Sequence, residues 1–205
     1  MAADATERLV EALAARGFAV EPKLLGASLI GALRTRHAAL EAEGRFRPAA
    51  IGAGADRSVR PDIRGDRLCW LDPPYARGEA EFLAQAESLR ASINAALGLG
   101  LFDFECQYAS YAPGARYARH LDRSPSGAER VVSLVLYLNE GWTPGEGGAL
   151  RLYTEAGAVE VLPEAGTLVL FDSARFEHEV CPATRERQSV AGWFRRRARL
   201  PAARG

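Results

Sequence analysis

The residues best suited to chemistry in this 205-residue chain are His120 and Asp122, set as a His-x-Asp pair, with His178 on a later segment and Arg187 beyond it in the run Arg187-Gln-Ser189. Two imidazoles and one carboxylate on separate strands can cover one face of an octahedral Fe(II), leaving the opposite face free for a co-substrate and dioxygen. The pair alone is weak, because a chain of this length and His and Asp content contains one by chance in roughly one case in eight. Its weight comes from the company it keeps.

The elements that must position these residues divide into helices and then strands. Apolar residues recur at helical spacing over Ala5–Arg16 (Leu9, Val10, Leu13, Ala14), over Leu24–Glu43 (Leu25, Leu29, Leu33, Leu40) and from Glu79 to about Leu97, where Gly98 is a natural stop. From Phe102 the period changes to two. Eight strands are expected, at Phe102–Ser110, Ala115–Arg119, Arg130–Asn139, Gly148–Tyr153, Ala158–Leu162, Thr167–Phe171, Glu177–Cys181 and Gln188–Arg196. The fold class is therefore α+β, a double-stranded β-helix or jelly roll braced by N-terminal helices. One domain is expected over 1–205, with helical support to about 97 and the β core over about 98–197. Phe46–Arg64, rich in Gly, Ala, Arg and Pro, reads as a long loop able to close over a site.

Strand parity tests the site. Val131, Ser133, Val135 and Tyr137 share one face of their strand, and Val132, Leu134, Leu136 and Leu138 the other. In the last strand Arg187, Ser189, Ala191 and Trp193 point the same way. An Arg directed into a barrel needs a partner, since an isolated buried charge costs several kcal/mol. A dicarboxylate ligand would supply it, and Tyr137 offers a second donor to the same anion.

Composition excludes several classes. A chain with 48% hydrophobic residues is long enough for one well-buried core, and its zero net charge gives no global field for nucleic acid or an anionic membrane. The basic run Arg195-Arg196-Arg197-Ala-Arg199 reads as a solvated end. No stretch approaches the roughly 18 apolar residues of a membrane span and no leader-like segment opens the chain, so a cytoplasmic protein is expected. Cys69, Cys106 and Cys181 are odd in number and widely spaced, and read as free thiols. His37 reads as an ordinary surface or interface histidine, and Gly147-Gly148 as a turn. Trp70 and Trp193 have a reading as core residues, Tyr111 and Tyr117 as sheet filling, and Arg130 with Asp66 as a structural ion pair.

Several motifs now stand in order: Tyr111-Ala-Pro-Gly, Tyr117-Ala-Arg-His120-Leu-Asp122, Tyr137-Leu-Asn, Gly147-Gly148-Ala-Leu150-Arg151, His178-Glu-Val-Cys-Pro182 and Arg187-Gln-Ser189 followed by Trp193-Phe194. With Ile63-Arg64-Gly65-Asp66 and Trp70 upstream, the chain from about 46 to 196 resembles the 2-oxoglutarate- and Fe(II)-dependent oxygenases. Among them it is similar to the prolyl 4-hydroxylase type and to bacterial relatives of the hypoxia-sensing prolyl hydroxylases. The resemblance implies that His120, Asp122 and His178 ligate Fe(II), and that Arg187, with Tyr137, Tyr111 and Ser189, holds the co-substrate 2-oxoglutarate. It implies substrate contacts at Arg130, Trp193 and Asp66, with Asp66 pairing Arg130, and ascorbate as an accessory reductant. The implied reaction hydroxylates a prolyl residue of a protein, in bacterial relatives a translation factor such as elongation factor Tu, and releases succinate and CO2. The alternatives are the same chemistry on a small molecule or another residue type and, more remotely, a non-catalytic iron- or 2-oxoglutarate-binding module. One departure is Ala191, where the hypoxia-sensing enzymes carry a threonine.

Overall fold

The computed structural model describes residues 3–52, 58–122 and 128–197. Three helices, α1 (Ala3–Arg16), α2 (Ala27–Ala42) and α3 (Arg77–Leu97), are interspersed with three short strands, β1 (Phe18–Glu21) after α1, and β2 (Arg47–Pro48) and β3 (Asp66–Trp70) between α2 and α3. Eight strands follow: β4 (Leu101–Tyr111), β5 (Tyr117–His120), β6 (Ala128–Tyr137), β7 (Leu150–Thr154), β8 (Gly157–Val161), β9 (Leu168–Asp172), β10 (His178–Val180) and β11 (Arg187–Arg197). All named pairs are antiparallel, in a seven-stranded sheet ordered β1-β9-β6-β11-β4-β3-β2 and a four-stranded sheet ordered β5-β10-β7-β8. This is the α+β jelly roll expected from the change of hydrophobic period.

Two cores follow from strand parity. Val132, Leu134 and Leu136 of β6, Cys106 and Tyr108 of β4, and Val190 and Phe194 of β11 pack with Leu9 and Leu13 of α1, Leu29 and Leu33 of α2, and Leu89 and Ile93 of α3. The opposite face carries Ala109, Tyr111 and Tyr137, which pack with Leu150, Leu152, Val180 and Phe171 between the sheets. Each buried large apolar side chain contributes roughly 1.5–3 kcal/mol. The helices thus clamp the large sheet from outside and leave its inner face to the site.

The helix ends differ from the periodicity for identifiable reasons. α2 starts at Ala27, after Leu24, because the Leu24 amide donates to the Gly166 carbonyl at 3.0 Å and is held in a turn. α3 starts two residues before Glu79 because the Glu79 carboxylate accepts from the Ala76 amide at 2.7 Å, capping the helix from its third position. Gly98 closes it in the left-handed conformation, φ 60°.

Other expectations need correction. β1, β2 and β3 lie in the part read as helical, too short for a period of two to show. Phe46–Arg64 is anchored rather than loose: Phe46 is buried, β2 pairs with β3, Ile51 bridges Ser58, and Arg64 bridges Tyr117. Residues 53–57 of that stretch lie outside the described residues, as does Arg199. Arg195 and Arg196 are not a solvated end. Both belong to β11, and Arg195 bonds Asp103 at 2.9 Å and Glu105 at 2.8 Å. His37 is fully buried against Phe46 and Tyr108, and Trp70 is 41% exposed. The cysteines are free, as read. Among the described residues no helix is long and apolar enough to cross a membrane.

The sheet tolerates little added volume where β11 crosses β4. A Cβ on Gly192 would enter the Phe104 ring and lie 2.9 Å from the Cys106 Cβ. Gly192→Ala should therefore lose about 1–3 kcal/mol of stability by overpacking, read as a lower urea midpoint; an unchanged midpoint would contradict this packing.

Candidate metal and co-substrate site

The two histidines meet because their strands pair. Antiparallel β10 and β5 place His178 directly opposite His120, with ring centroids 4.2 Å apart. His120 Nδ1 lies 2.8 Å from the Ala118 carbonyl and His178 Nδ1 lies 3.1 Å from that of Phe176. Each ring can therefore donate Nδ1–H to a carbonyl two residues upstream and keep the Nε2 lone pair free for a metal. Asp122, where the chain leaves β5, offers one oxygen to each: His120 Nε2 to Oδ1 and His178 Nε2 to Oδ2 are both 3.7 Å. The three ligand atoms lie within 4.8 Å of one another, a spacing that one ion with bonds of roughly 2.0–2.2 Å can span.

The local electrostatics suit a divalent cation. Burial disfavours the charged form of His178 and lowers its pKa, against the opposing pull of Asp122, and a metal ligand needs the neutral ring. Burial alone would raise that of Asp122, but the neighbouring imidazoles and Ser133 outweigh it and hold the carboxylate ionised. Ser133 Oγ donates to Asp122 Oδ2 at 2.7 Å and lies 2.8 Å from Ser173 Oγ. Sequence reasoning put Ser133 on the inner face but gave it no role. A polar residue at that parity in an apolar strand was the available signal. Tyr117 is likewise more than sheet filling: it stacks on the His120 ring at 3.5 Å, with the Arg64 guanidinium 4.7 Å over its far side.

At the other end of the cavity Arg187 is 2% exposed. Its Nε donates to the Gly148 carbonyl at 2.9 Å, and its guanidinium carbon lies 5.0 Å from the Tyr137 ring and 5.2 Å from that of Tyr111. Among the described residues it has no carboxylate partner. Gly148, at φ +73°, is the turn the sequence suggests, and a Cβ there would meet the Trp142 ring at 2.9 Å, so only glycine lets this backbone approach Arg187. The Tyr137 hydroxyl is buried without a partner, and burial pushes its pKa up to about 12, tempered by Arg187. It is thus a fixed neutral donor. Ser189 and Ala191 complete this wall, as their parity predicts.

The expected contact between Asp66 and Arg130 is absent. Arg64 chelates Asp66 with bonds of 2.8 and 3.1 Å, and although burial disfavours its charge, those bonds and the Asp66 charge raise its pKa. Arg130 instead bonds Glu105 at 2.9 Å and lies 3.5 Å over the Trp193 ring. The reason is a register shift. Arg195 faces Arg130 while Phe194 faces Val132, so Val131 is looped out and packs on the helix side, and Arg130 turns inward. The regular alternation that put Val131 on the inner face fails at this bulge. Trp193 is buried, with Trp70 6.2 Å away at the sheet edge.

One cavity thus joins a three-donor cluster to a buried unpaired cation. The profile of the 2OG-Fe(II) oxygenase superfamily matches residues 106–195, a span that contains all of these donors. A prolyl-4-hydroxylase of Pseudomonas putida is 46% identical, covering 93% of this chain and 99% of its own, with a TM-score of 0.86. A Trichoplax adhaerens prolyl hydroxylase, solved with a hypoxia inducible factor peptide fragment, is 30% identical over 92% of this chain and 88% of its own, with a TM-score of 0.80. A non-heme α-ketoglutarate-dependent epimerase of nogalamycin biosynthesis shares the fold at 14% identity over 98% of this chain and 92% of its own, with a TM-score of 0.68, so the fold alone does not select the reaction. The identity to the first two shows the family: the chain belongs to the 2OG-Fe(II) oxygenase superfamily, among its prolyl 4-hydroxylase-type members, and is a 2-oxoglutarate-dependent dioxygenase.

Proposed function

We propose that the enzyme hydroxylates a prolyl residue of a protein substrate, binding Fe(II) through His120, Asp122 and His178 and 2-oxoglutarate beneath Arg187. The observation that carries this is the pairing, in one cavity, of a two-imidazole, one-carboxylate donor cluster with a buried guanidinium that has no carboxylate partner among the described residues. The donor set fits Fe(II), since imidazole and carboxylate ligands with open positions suit non-haem iron chemistry. When bound, the iron would supply the redox chemistry with dioxygen that converts 2-oxoglutarate to succinate and CO2 and adds one oxygen to a prolyl carbon.

The chain's own part is positioning. Arg187 would clamp the distal carboxylate of 2-oxoglutarate with charge-assisted bonds, and the Tyr137 hydroxyl would donate to the same group. Tyr111 and Ser189 line the same end. Ser133 keeps one Asp122 oxygen directed, and the carbonyls of Ala118 and Phe176 fix the imidazoles. Val135, Leu150, Val180 and Ala191 supply apolar walls that exclude water. At the mouth, Arg130 and Trp193 would meet the substrate, whereas Asp66 would act by holding Arg64 against Tyr117.

The Trichoplax relative, solved with a peptide, supports a polypeptide substrate here. The target class is a translation factor such as elongation factor Tu, and the three free thiols suit a reducing compartment, for which we propose the cytoplasm. Succinate formation from 2-oxoglutarate, with Fe(II), ascorbate and oxygen, should rise when purified elongation factor Tu is added, and mass spectrometry should find one added oxygen on a proline. His178→Ala should abolish both signals. Slow turnover that the factor does not stimulate would remove this target, and none at all would contradict the metal-centre assignment.

The unpaired Arg187 gives a second expectation. Arg187→Leu should weaken 2-oxoglutarate binding by roughly two orders of magnitude, as truncation of a buried charge partner does. The same change removes a buried charge that lacks a partner in the ligand-free protein, so its melting temperature should stay level or rise. Calorimetry with and without 2-oxoglutarate measures both. A large fall in ligand-free melting temperature would show that Arg187 serves the fold rather than an anion.

A further inference from the structure

Two polar atoms of the pocket are unaccounted for by the metal cluster and the anion clamp. Gln107 Oε1 and Trp193 Nε1 are buried with no hydrogen-bond partner among the described residues, and Gln107 and Trp193 are only 2% and 6% exposed. Both residues line the cavity that His120, Asp122 and His178 share. Buried polar atoms without partners are rare in native proteins, and in a binding cavity such an atom is one that a ligand can satisfy.

The sheet register places them. Arg187 is level with Tyr111, and Ser189 with Ala109 and Tyr137, which makes two rungs at the co-substrate end. The next rung runs Val135, Ala191, Gln107, Trp70, and the one after it Ser133, Trp193, Glu105. Gln107 therefore stands past the anion clamp, between Ala191 in the interior and the exposed Trp70 at the edge. Trp193 is one rung further, beside the Ser133 that holds Asp122. An unpartnered acceptor and an unpartnered donor thus stand on adjacent rungs past the clamp.

The chemistry of that pair is the chemistry of a peptide main chain, which offers an N–H and a C=O at regular intervals. A peptide-bound proline has no N–H, so the ring to be hydroxylated cannot itself satisfy Gln107 Oε1. The nearest N–H in the chain is that of the following residue, one carbonyl carbon away from the proline Cα. We propose that Gln107 is a specificity-determining residue, whose carboxamide oxygen accepts a hydrogen bond from the backbone N–H of the residue after the target proline, while Trp193 Nε1 donates to a backbone carbonyl of the same peptide. The proposal rests on the prolyl hydroxylase reading and adds to it a requirement at the next residue. It selects against a second proline there and against N-alkylated residues, because a site built to accept a hydrogen bond rejects an analogue that lacks the donor.

The test uses two degenerate peptide libraries, one centred on Pro-Ala and one on Pro-(N-methyl-Ala), otherwise identical, with added oxygen on the proline as the readout. The full-length enzyme, loaded with Fe(II) and 2-oxoglutarate, should hydroxylate the N-methyl library at least about tenfold less efficiently, the worth of one hydrogen bond. In Gln107→Met, of similar bulk but without the acceptor, the ratio between the libraries should fall towards one. The ratio is read within each enzyme, so a general loss of activity in the variant cancels. Equal hydroxylation of both libraries by the unaltered enzyme would overturn the role of Gln107, as would an unchanged ratio in the variant, and either result would leave the prolyl hydroxylase reading intact. No added oxygen in either library would overturn both.

Discussion

The interior of this enzyme is organised around a positive charge that the fold buries with no carboxylate partner among the described residues. Arg187 sits at the start of β11, nearly wholly covered, with one hydrogen bond to a carbonyl and two aromatic rings beside its guanidinium. A charge so placed costs several kcal/mol unless something pairs it. An anion entering the cavity would offset that cost, which suits the cavity to a ligand of negative charge. The rest of the inner sheet can be understood as the support this arrangement needs. Gly148 keeps a close backbone acceptor in reach, and the Tyr137 hydroxyl beside Arg187 is kept neutral by burial.

The cluster of His120, Asp122 and His178 is held by a different device, strand pairing across the smaller sheet. His120 and His178 are register partners, their outer nitrogens are turned towards carbonyls two residues back, and Asp122 is tied through Ser133 to the large sheet. The Ser133 bond is therefore a joint between the two sheets beside the three donor residues. Helices on the outer face contribute no side chain to this cavity. Their work is to bury Val132, Leu134, Leu136, Val190 and Phe194, so that the alternate residues of the same strands are presented inward. Arg64, Tyr117 and His120 form a stack along one wall, with Asp66 holding the outer end by its chelate with Arg64.

Much of this was legible in the sequence because it depends on local spacing. The change from helical to alternating periodicity located the jelly roll, the parity of β11 put Arg187, Ser189, Ala191 and Trp193 on one face, and His-x-Asp with a later His marked the cluster. What was not legible depends on register. No pattern in Arg130-Val131-Val132 announces the bulge that turns Arg130 inward to Glu105, so its pairing with Asp66 was misjudged. The strands Phe18–Glu21, Arg47–Pro48 and Asp66–Trp70 are too short to alternate visibly and exist because the edges of the large sheet recruit them. His37 is a case where a signal existed: it falls four residues after Leu33 and three before Leu40, on the apolar stripe of α2, and is buried accordingly.

The claim that most needs testing is that one dicarboxylate answers the buried charge while it engages the metal cluster. A crystal structure grown anaerobically with Mn(II) and 2-oxoglutarate addresses it directly. The ion should bond to His120 Nε2, Asp122 and His178 Nε2, with the distal carboxylate of 2-oxoglutarate on the Arg187 guanidinium and the Tyr137 hydroxyl. A bound 2-oxoglutarate that leaves Arg187 unpaired, or a metal ligated elsewhere, would contradict it.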